Sequence, residues 1–362
     1  MSGREWMELA VELARSGLGT TAPNPSVGAV VVRDGVLLGS GCTRPVGGDH
    51  AELVALKAVA EAGQDPRGAT MFVTLEPCCH HGRTPPCTDA ILAAGIGRVV
   101  VGVVDPFPPM QGTALDVLRA GGVEVELGLC AEACAEVVQG FTRAITHGLP
   151  EVCCKAGISL DGNIATASGE SQWITGPEAR AHAHLLRARS DAILVGIRTA
   201  LADDPRLTCR TIPGRDPVPV VLDSGLRLPD GAALLGSSRR PVVVCAHDAP
   251  QRSLAAEVVR VDRARGGRGV DVEQALRALV ERGMHRVLVE GGGEVHRSLL
   301  DARLVDSLYL YMGGVMLPGG RPWLGGPPVD ALASAVRADG VQVDRLGGEV
   351  LLRYRLRHRL ED

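Results

Sequence analysis

The strongest constraint on the fold is a rhythm. Short β-branched runs alternate with helix-patterned windows along the whole chain of 362 residues. Residues 4–15 place Trp6, Leu9, Ala10 and Leu13 on one helical face. The Val-rich run 27–33 meets Asp34-Gly35 and returns at 36–38, which predicts a hairpin. Helices are expected over 51–61, 88–94, 113–120 and 132–146, and strands over 69–75, 98–104 and 123–127. Such alternation predicts a sheet with helices on its faces. His147-Gly148-Leu149-Pro150 reads as a junction. A second α/β block then runs through strands at 152–158, 192–195, 218–223, 241–245, 287–290 and 350–356, with a helix over 271–282. The expected domains are 1–147 and 148–362, with no repeat between them. The loops 227–239 and 262–270 are expected to be the most mobile segments.

Composition removes several function classes. Aromatic residues are only 2% of the chain, so the core must come from Val, Leu, Ile and Ala. The same scarcity argues against a platform for stacking single-stranded bases. A net charge of −4 and a pI near 6.2 provide no electrostatic case for nucleic acid or an anionic membrane. No apolar run approaches a membrane span. The start, Met1-Ser2-Gly3-Arg4-Glu5-Trp6, lacks a signal-peptide pattern, so a cytoplasmic location with reduced thiols is expected. Ten cysteines in a chain this long are too sparse for a disulfide scaffold. The expected partners are a small-molecule substrate and further copies of the chain, since closed homo-oligomers are common.

One constellation carries metal chemistry. His50-Ala51-Glu52 opens a helix, followed by Glu76-Pro77-Cys78-Cys79 and Pro85-Pro86-Cys87. Three N/S ligands hold Zn²⁺ and leave a fourth position for water, whose pKa falls towards neutrality. A neighbouring Glu that is not a ligand can shuttle the proton to a leaving amine. An ordinary helix start would explain His50-Ala51-Glu52 alone; the Pro-Cys segments in this order raise the specificity. The generic Pro-Cys-x-x-Cys spacing fails, because Cys78 and Cys87 lie nine positions apart around an insert with His80, His81 and Gly82. Adjacent residues seldom reach one ion, so Cys79 is a decoy candidate.

The run Thr74-Leu75-Glu76-Pro77-Cys78-Cys79-His80-His81-Gly82-Arg83-Thr84-Pro85-Pro86-Cys87 resembles the deaminase motif of the RibD family, the bifunctional deaminase-reductases of riboflavin biosynthesis. The resemblance implies a cytidine-deaminase-like αβα domain. It gives His50, Cys78 and Cys87 to zinc, Glu52 to proton transfer, and Asn24, in Ala22-Pro23-Asn24-Pro25-Ser26-Val27-Gly28, to the pyrimidine. Three positions depart from the family pattern: Thr43 where a His is common, Asp49 before His50, and Phe107 in Asp105-Pro106-Phe107-Pro108. They flank the expected pocket and bear on which ring it accepts.

The second block contains Lys155-Ala156-Gly157-Ile158-Ser159-Leu160-Asp161-Gly162-Asn163, Ser171-Gln172-Trp173, Leu201-Ala202-Asp203-Asp204-Pro205-Arg206-Leu207-Thr208 and Val289-Glu290-Gly291-Gly292-Gly293. A strand-glycine-helix unit suits a pyrophosphate at a helix N-terminus, although a glycine triplet alone is a common turn. No Gly-x-Gly-x-x-Gly follows an early strand, so a Rossmann domain is not supported. These segments resemble the same family's reductase domain and imply a dihydrofolate-reductase-like α/β fold. By that resemblance Gly157, Trp173, Thr199, Asp203 and Ser224 line an NADPH site, and Gly292, Gly293, Glu294, Val295, His296, Arg297 and Ser298 cradle its phosphates. Ser171, Arg187, Leu207, Arg210 and Glu290 bind the ribose phosphate substrate, with Lys155 as a supporting group.

Local patterns read several of these residues otherwise. Arg187 lies on a basic helix face, which is ordinarily solvated, and Trp173 would ordinarily be core. His182 and His184 are two apart, so they cannot share a helical face and are poor metal ligands. Past residue 310 the family pattern weakens, and 311–320 is expected at a sheet edge or a subunit interface. The alternatives are a paralogue acting on a related pyrimidine and a deaminase with a degenerate reductase half.

Overall fold

The computed structural model describes residues 1–80, 85–211 and 214–356. His81 and Gly82 of the motif insert, with Arg83 and Thr84, lie outside the described residues. The chain divides into two compact units, Met1–Gly148 and Leu149–Asp362.

The first unit runs α1 (Gly3–Gly17), β1 (Gly28–Arg33), β2 (Val36–Cys42), α2 (Ala51–Glu61), β3 (Thr70–Leu75), α3 (Cys87–Ala93), β4 (Arg98–Val103), α4 (Thr113–Ala120), β5 (Glu124–Leu127) and α5 (Ala131–His147). The sheet order is β2-β1-β3-β4-β5. β1 is antiparallel to β2 and β3, while β3, β4 and β5 are parallel. Period-two alternation sends Val30, Val32, Phe72 and Val100 to one face, against Trp6, Met7 and Val137 of α1 and α5. It sends Ala29, Val31, Met71 and Val99 to the other, against Ala55, Ile91 and Leu118 of α2, α3 and α4. The result is an αβα sandwich. α1 starts with a capping box, in which Ser2 accepts from the Glu5 N–H and Glu5 accepts from the Ser2 N–H. α5 stops where Gly148 takes a left-handed conformation, φ 63°.

This topology brings four segments to one sheet edge. β1 starts where β3 ends, because the two are antiparallel. The turn carrying Asn24 therefore enters at the edge from which Glu76-Pro77-Cys78 leaves. β2 ends there too, leading to His50, and β4 ends beside β3, with Leu75 opposite Val103. α2 reaches its place because Gly39 and Gly41 leave room for it. A Cβ on Gly39 would sit 2.6 Å from the Ala55 carbonyl oxygen, and one on Gly41 would sit 2.6 Å from Val54 Cβ.

The second unit runs β6 (Glu151–Ile158), β7 (Asn163–Ala165), α6 (Pro177–Ala188), β8 (Ala192–Gly196), α7 (Ile197–Asp203), β9 (Val218–Leu222), β10 (Val242–Ala246), β11 (Glu257–Val261), α8 (Val272–Val280), β12 (Arg286–Val289), α9 (Gly293–Asp301), β13 (Ser307–Met312), β14 (Arg321–Pro322), β15 (Ala338–Leu346) and β16 (Glu349–Leu356). Its main sheet has the order β11-β10-β9-β8-β12-β6-β13-β16-β15. β6 and β8 to β13 are parallel, and β16 and β15 are antiparallel additions. Ala192, Leu194 and Val220 face α8 and α9, while Ile193, Val195 and Val221 face the α7 side.

The segment 311–320 is not at a sheet edge. Tyr311 and Met312 belong to β13, which lies between β6 and β16, and Tyr311 is fully buried. The loop beyond folds onto 159–163, where the Leu317 N–H donates to Asp161 and Asn163 Nδ2 donates to the Leu317 carbonyl. Segment 262–270 is bridged by Arg263 and Val270, and 227–239 is pinned where Asp223 accepts the Arg227 and Leu228 N–H groups. Among the described residues no helix is long and apolar enough to cross a membrane.

Candidate functional site

In the first unit His50 is the N-cap of α2 and Cys87 is the first residue of α3. Pro86 precedes Cys87 with extended geometry, which starts that helix at the cysteine. The α3 N-terminus thus points partial positive charge at the Cys78 sulfur, which accepts the Cys87 N–H. His50 Nδ1 lies 3.5 Å from Cys78 Sγ and 3.3 Å from Cys87 Sγ, and the Cys87 N–H donates to Cys78 Sγ over 3.3 Å. All three ligand atoms fall within 4.8 Å of one another. Tetrahedral zinc, with Zn–S near 2.3 Å and Zn–N near 2.0–2.1 Å, separates its N and S ligands by about 3.5 Å. The donor set therefore fits zinc in chemistry and spacing. Cys79 is half-buried and outside this group.

Protonation follows from these contacts. The Cys87 thiol bonds to Cys78 and, with His50, holds the Cys78 thiol well below the usual range. The same contact, with burial, pushes Cys87 up. Glu52 is 3% exposed, and burial pushes its carboxyl up to about 6. It faces the Cys87 thiol and is not a member of the His/Cys/Cys group.

Asn24 is half-buried on the turn before β1, its N–H bonded to the Thr21 carbonyl. Thr43 joins the start of β1 to the end of β2, its hydroxyl accepting from the Val27 N–H and donating to the Val27 carbonyl. Asp49 pairs with Lys57, and Phe107 is exposed. Cys130 is half-buried, and Cys134, Cys153 and Cys154 are buried; all four are free thiols.

In the second unit a cleft of about 1910 Å³ opens at the carboxyl ends of β6, β8, β9 and β12, where parallel sheets bind ligands. It brings together Lys155, Gly157, Ser171, Trp173, Arg187, Thr199, Asp203, Arg210, Ser224, Glu290, Gly292, Gly293, Glu294, Val295, His296 and Ser298. It does not include Leu207 or Arg297. Leu207 is buried in the core on the α7 side, and Arg297 pairs with Asp301 and donates to the Pro327 carbonyl. The glycines answer to packing as well as to any ligand. A Cβ on Gly293 would sit 2.7 Å from the Gly325 nitrogen, and Gly292 has φ +70° with Thr199 Oγ1 3.1 Å from a Cβ position.

Arg187 is no solvated helix residue. Its side chain is 14% exposed and forks onto Glu290, Nε to Oε1 at 2.8 Å and Nη2 to Oε2 at 2.7 Å, while Nη1 donates to the Thr208 carbonyl. Lys155 Nζ stands 3.6 Å from Glu290 Oε2. Burial alone would raise the Glu290 carboxyl, but Lys155 and Arg187 hold it well below the usual carboxylate range. Trp173 is not core; it is 65% exposed beneath the Arg180 guanidinium, 4.4 Å from the ring centroid. His182 bonds to the Tyr311 hydroxyl.

Sequence reasoning missed His184. Its Nδ1 accepts from the Arg210 N–H at 3.4 Å, and it lines the cleft three residues before Arg187 on the same helix face. Burial first, then Arg187 and Arg210, push its pKa down to about 4. The unfolded chain, with His near 6.5, takes up a proton that the folded chain refuses, so stability falls as pH drops from 6.5 towards 4. His184→Gln is expected to remove about 2–3 kcal/mol of the stability lost between pH 7 and 4.5. Denaturant unfolding of both proteins at the two pH values checks this, and equal losses would contradict it.

Residues 2–103 match the cytidine and deoxycytidylate deaminase zinc-binding region, and residues 150–352 match the RibD C-terminal domain. The chain is 36% identical to the riboflavin biosynthesis protein RibD of Aquifex aeolicus, over 97% of this chain and 98% of that one. The same protein of Escherichia coli is 36% identical over 97% and 99%. A crystal structure from Thermotoga maritima, described as a diaminohydroxyphosphoribosylaminopyrimidine deaminase/5-amino-6-(5-phosphoribosylamino)uracil reductase, superposes with a TM-score of 0.89 at 37% identity, covering 98% of each chain. With a zinc-binding deaminase region in one unit and the reductase domain in the other, the chain belongs to the RibD family of bifunctional riboflavin-biosynthesis deaminase-reductases.

Proposed function

We propose that the first unit removes the ring amine of a diaminopyrimidinone ribosylamine phosphate by hydrolysis, and that the second reduces the ribosyl C1 of the product to a ribityl chain. The observation that carries this reading is one chain with two complete constellations: Glu52 buried against His50, Cys78 and Cys87, and a basic cleft built around Glu290. The comparison proteins support the substrate class through the activities in their descriptions.

His50, Cys78 and Cys87 would hold zinc, which supplies Lewis acidity and makes water nucleophilic near neutral pH. Glu52 is the group that moves the proton, taking it from water and delivering it to the departing amine. Asn24, at the same sheet edge, holds the ring. In the cleft, Thr199, Ser224, Gly292 and Gly293 are among the residues that would hold NADPH, which would supply hydride. Arg187 donates to Glu290 and Thr208, so its part is to fix Glu290. Glu290 in turn orients Lys155 towards the substrate ribose. Arg210 has no acidic partner among the described residues and lines the cleft, so it takes the substrate phosphate.

Ser224 and Arg227, after β9, share the cleft with Arg265 and Arg268, in the loop after β11. This arginine rim fits the 2′-phosphate that distinguishes NADPH from NADH. Replacing Arg265 and Arg268 together by Ala is expected to raise the KM for NADPH about tenfold and leave that for NADH unchanged, as steady-state kinetics with both cofactors would show. Equal effects on both would contradict the assignment.

The substrate reading is tested by a mass-resolved assay of zinc-loaded protein with the diaminopyrimidinone ribosylamine phosphate. Deaminated product without NADPH and ribityl product with it are expected. No turnover by folded, zinc-loaded protein would move the search to a related ring amine, the paralogue reading that Thr43, Asp49 and Phe107 motivate. A solution mass that is a multiple of the chain mass would support the proposed homo-oligomer, and a monomer mass would remove it.

A further inference from the structure

A buried carboxylate that the deamination chemistry leaves unused is Glu76. It is 3% exposed, two residues before Cys78. Its carboxylate accepts three backbone N–H groups: Asp105 at 3.0 Å and Gly112 at 2.9 Å on Oε2, and Ala114 at 2.9 Å on Oε1. The first donor opens the loop that follows β4, and the other two close it onto α4. One carboxylate thus ties both ends of the loop 105–112.

The loop is ordered internally as well. The Asp105 carboxylate accepts the Phe107 N–H at 2.8 Å, an Asx turn, and the Phe107 carbonyl accepts the Met110 N–H at 2.8 Å. Phe107, 44% exposed, stands at the turn. β3 and β4 are parallel neighbours, and the Glu76 N–H donates to the Val103 carbonyl at 2.9 Å. The Cys78 segment and the 105–112 loop therefore leave the same sheet edge side by side.

We propose that Glu76 is a positioning residue for substrate binding. It holds the 105–112 loop as a wall beside the His/Cys/Cys centre, and Phe107 on that wall packs against the substrate ring. This rests on the deaminase reading above. A carboxylate suits the task because all three partners are donors. Glutamine keeps the shape but must turn an amide NH₂ towards at least one of them, and a donor facing a donor releases that end of the loop.

The test is steady-state ammonia release from the diaminopyrimidinone ribosylamine phosphate by wild type, Glu76→Gln, Phe107→Ala and the double variant. Zinc content and the reductase rate report on folding of each unit. Glu76→Gln is expected to raise KM tenfold or more, with kcat within about threefold and with zinc content and reductase rate unchanged. Phe107→Ala, a change at an exposed side chain, is expected to raise KM as well. The double variant should be no worse than Glu76→Gln, since the two act through one loop. Wild-type KM in either single variant overturns the proposal. Loss of zinc, or a fall in kcat at constant KM, in Glu76→Gln also overturns it, because Glu76 would then serve the metal centre itself. If wild type fails to release ammonia, it is the substrate reading that falls.

Discussion

Glu52→Gln is expected to lower the rate of ammonia release by about 10²–10⁴, the range that a positioned general acid-base contributes. Glutamine keeps the volume and a hydrogen-bonding oxygen but carries no transferable proton. Glu52 is outside the His/Cys/Cys group, so zinc content should stay at the wild-type level. Cys87→Ala should instead lose zinc and deamination together. Both variants should reduce deaminated substrate at the wild-type rate. Ammonia release and metal analysis separate the two outcomes. A Glu52→Gln protein that kept deaminating would remove the proton-transfer role.

The second large effect is expected at Glu290. Its carboxylate lies between Arg187 and Lys155 in surroundings that leave it 8% exposed. Glu290→Gln removes the buried anion and strands two half-buried cations. Breaking a buried ion pair from one side costs about 3–5 kcal/mol. The fork that fixes Arg187 is lost, and Lys155 loses its orientation. Misplacement of such groups costs about 10²-fold in rate. NADPH oxidation with the deaminated substrate should fall by at least that much, while ammonia release continues. Unfolding curves and the two rates, measured on the same preparation, check both parts. Unchanged stability with unchanged reduction would contradict the role given to this cluster.

The zinc centre was legible because its ligands sit where local grammar already marks something: a helix start at His50, and proline-flanked cysteines at the end of a strand and the start of a helix. The nine-residue gap between Cys78 and Cys87 was readable only through the family resemblance; in space the β3 exit and the first residue of α3 meet over it. Arg187 was misread by its pattern, because the partner that draws it inward, Glu290, is 103 positions away. Trp173 misled in the opposite sense, its large ring lying exposed under Arg180. β15, exposed along most of its length, escaped because it lacks a buried alternation, and β11 because Glu257 and Arg260 break up a run in which only Val259 and Val261 are buried. Glu76 was quoted as part of a motif, but its role depends on a loop that follows the next strand, which no local window contains. His184 was readable, since three residues separate it from Arg187 on one helix face.

The central claim is that each unit holds a complete site of its own. The most direct test strips metal from the protein with a chelator and follows two rates: ammonia release from the diaminopyrimidinone ribosylamine phosphate, and NADPH oxidation with its deaminated product. The account predicts that the first rate vanishes and returns with added zinc, while the second stays at its original value. Ammonia release that persists without metal, or reduction that falls and recovers with zinc, would contradict it.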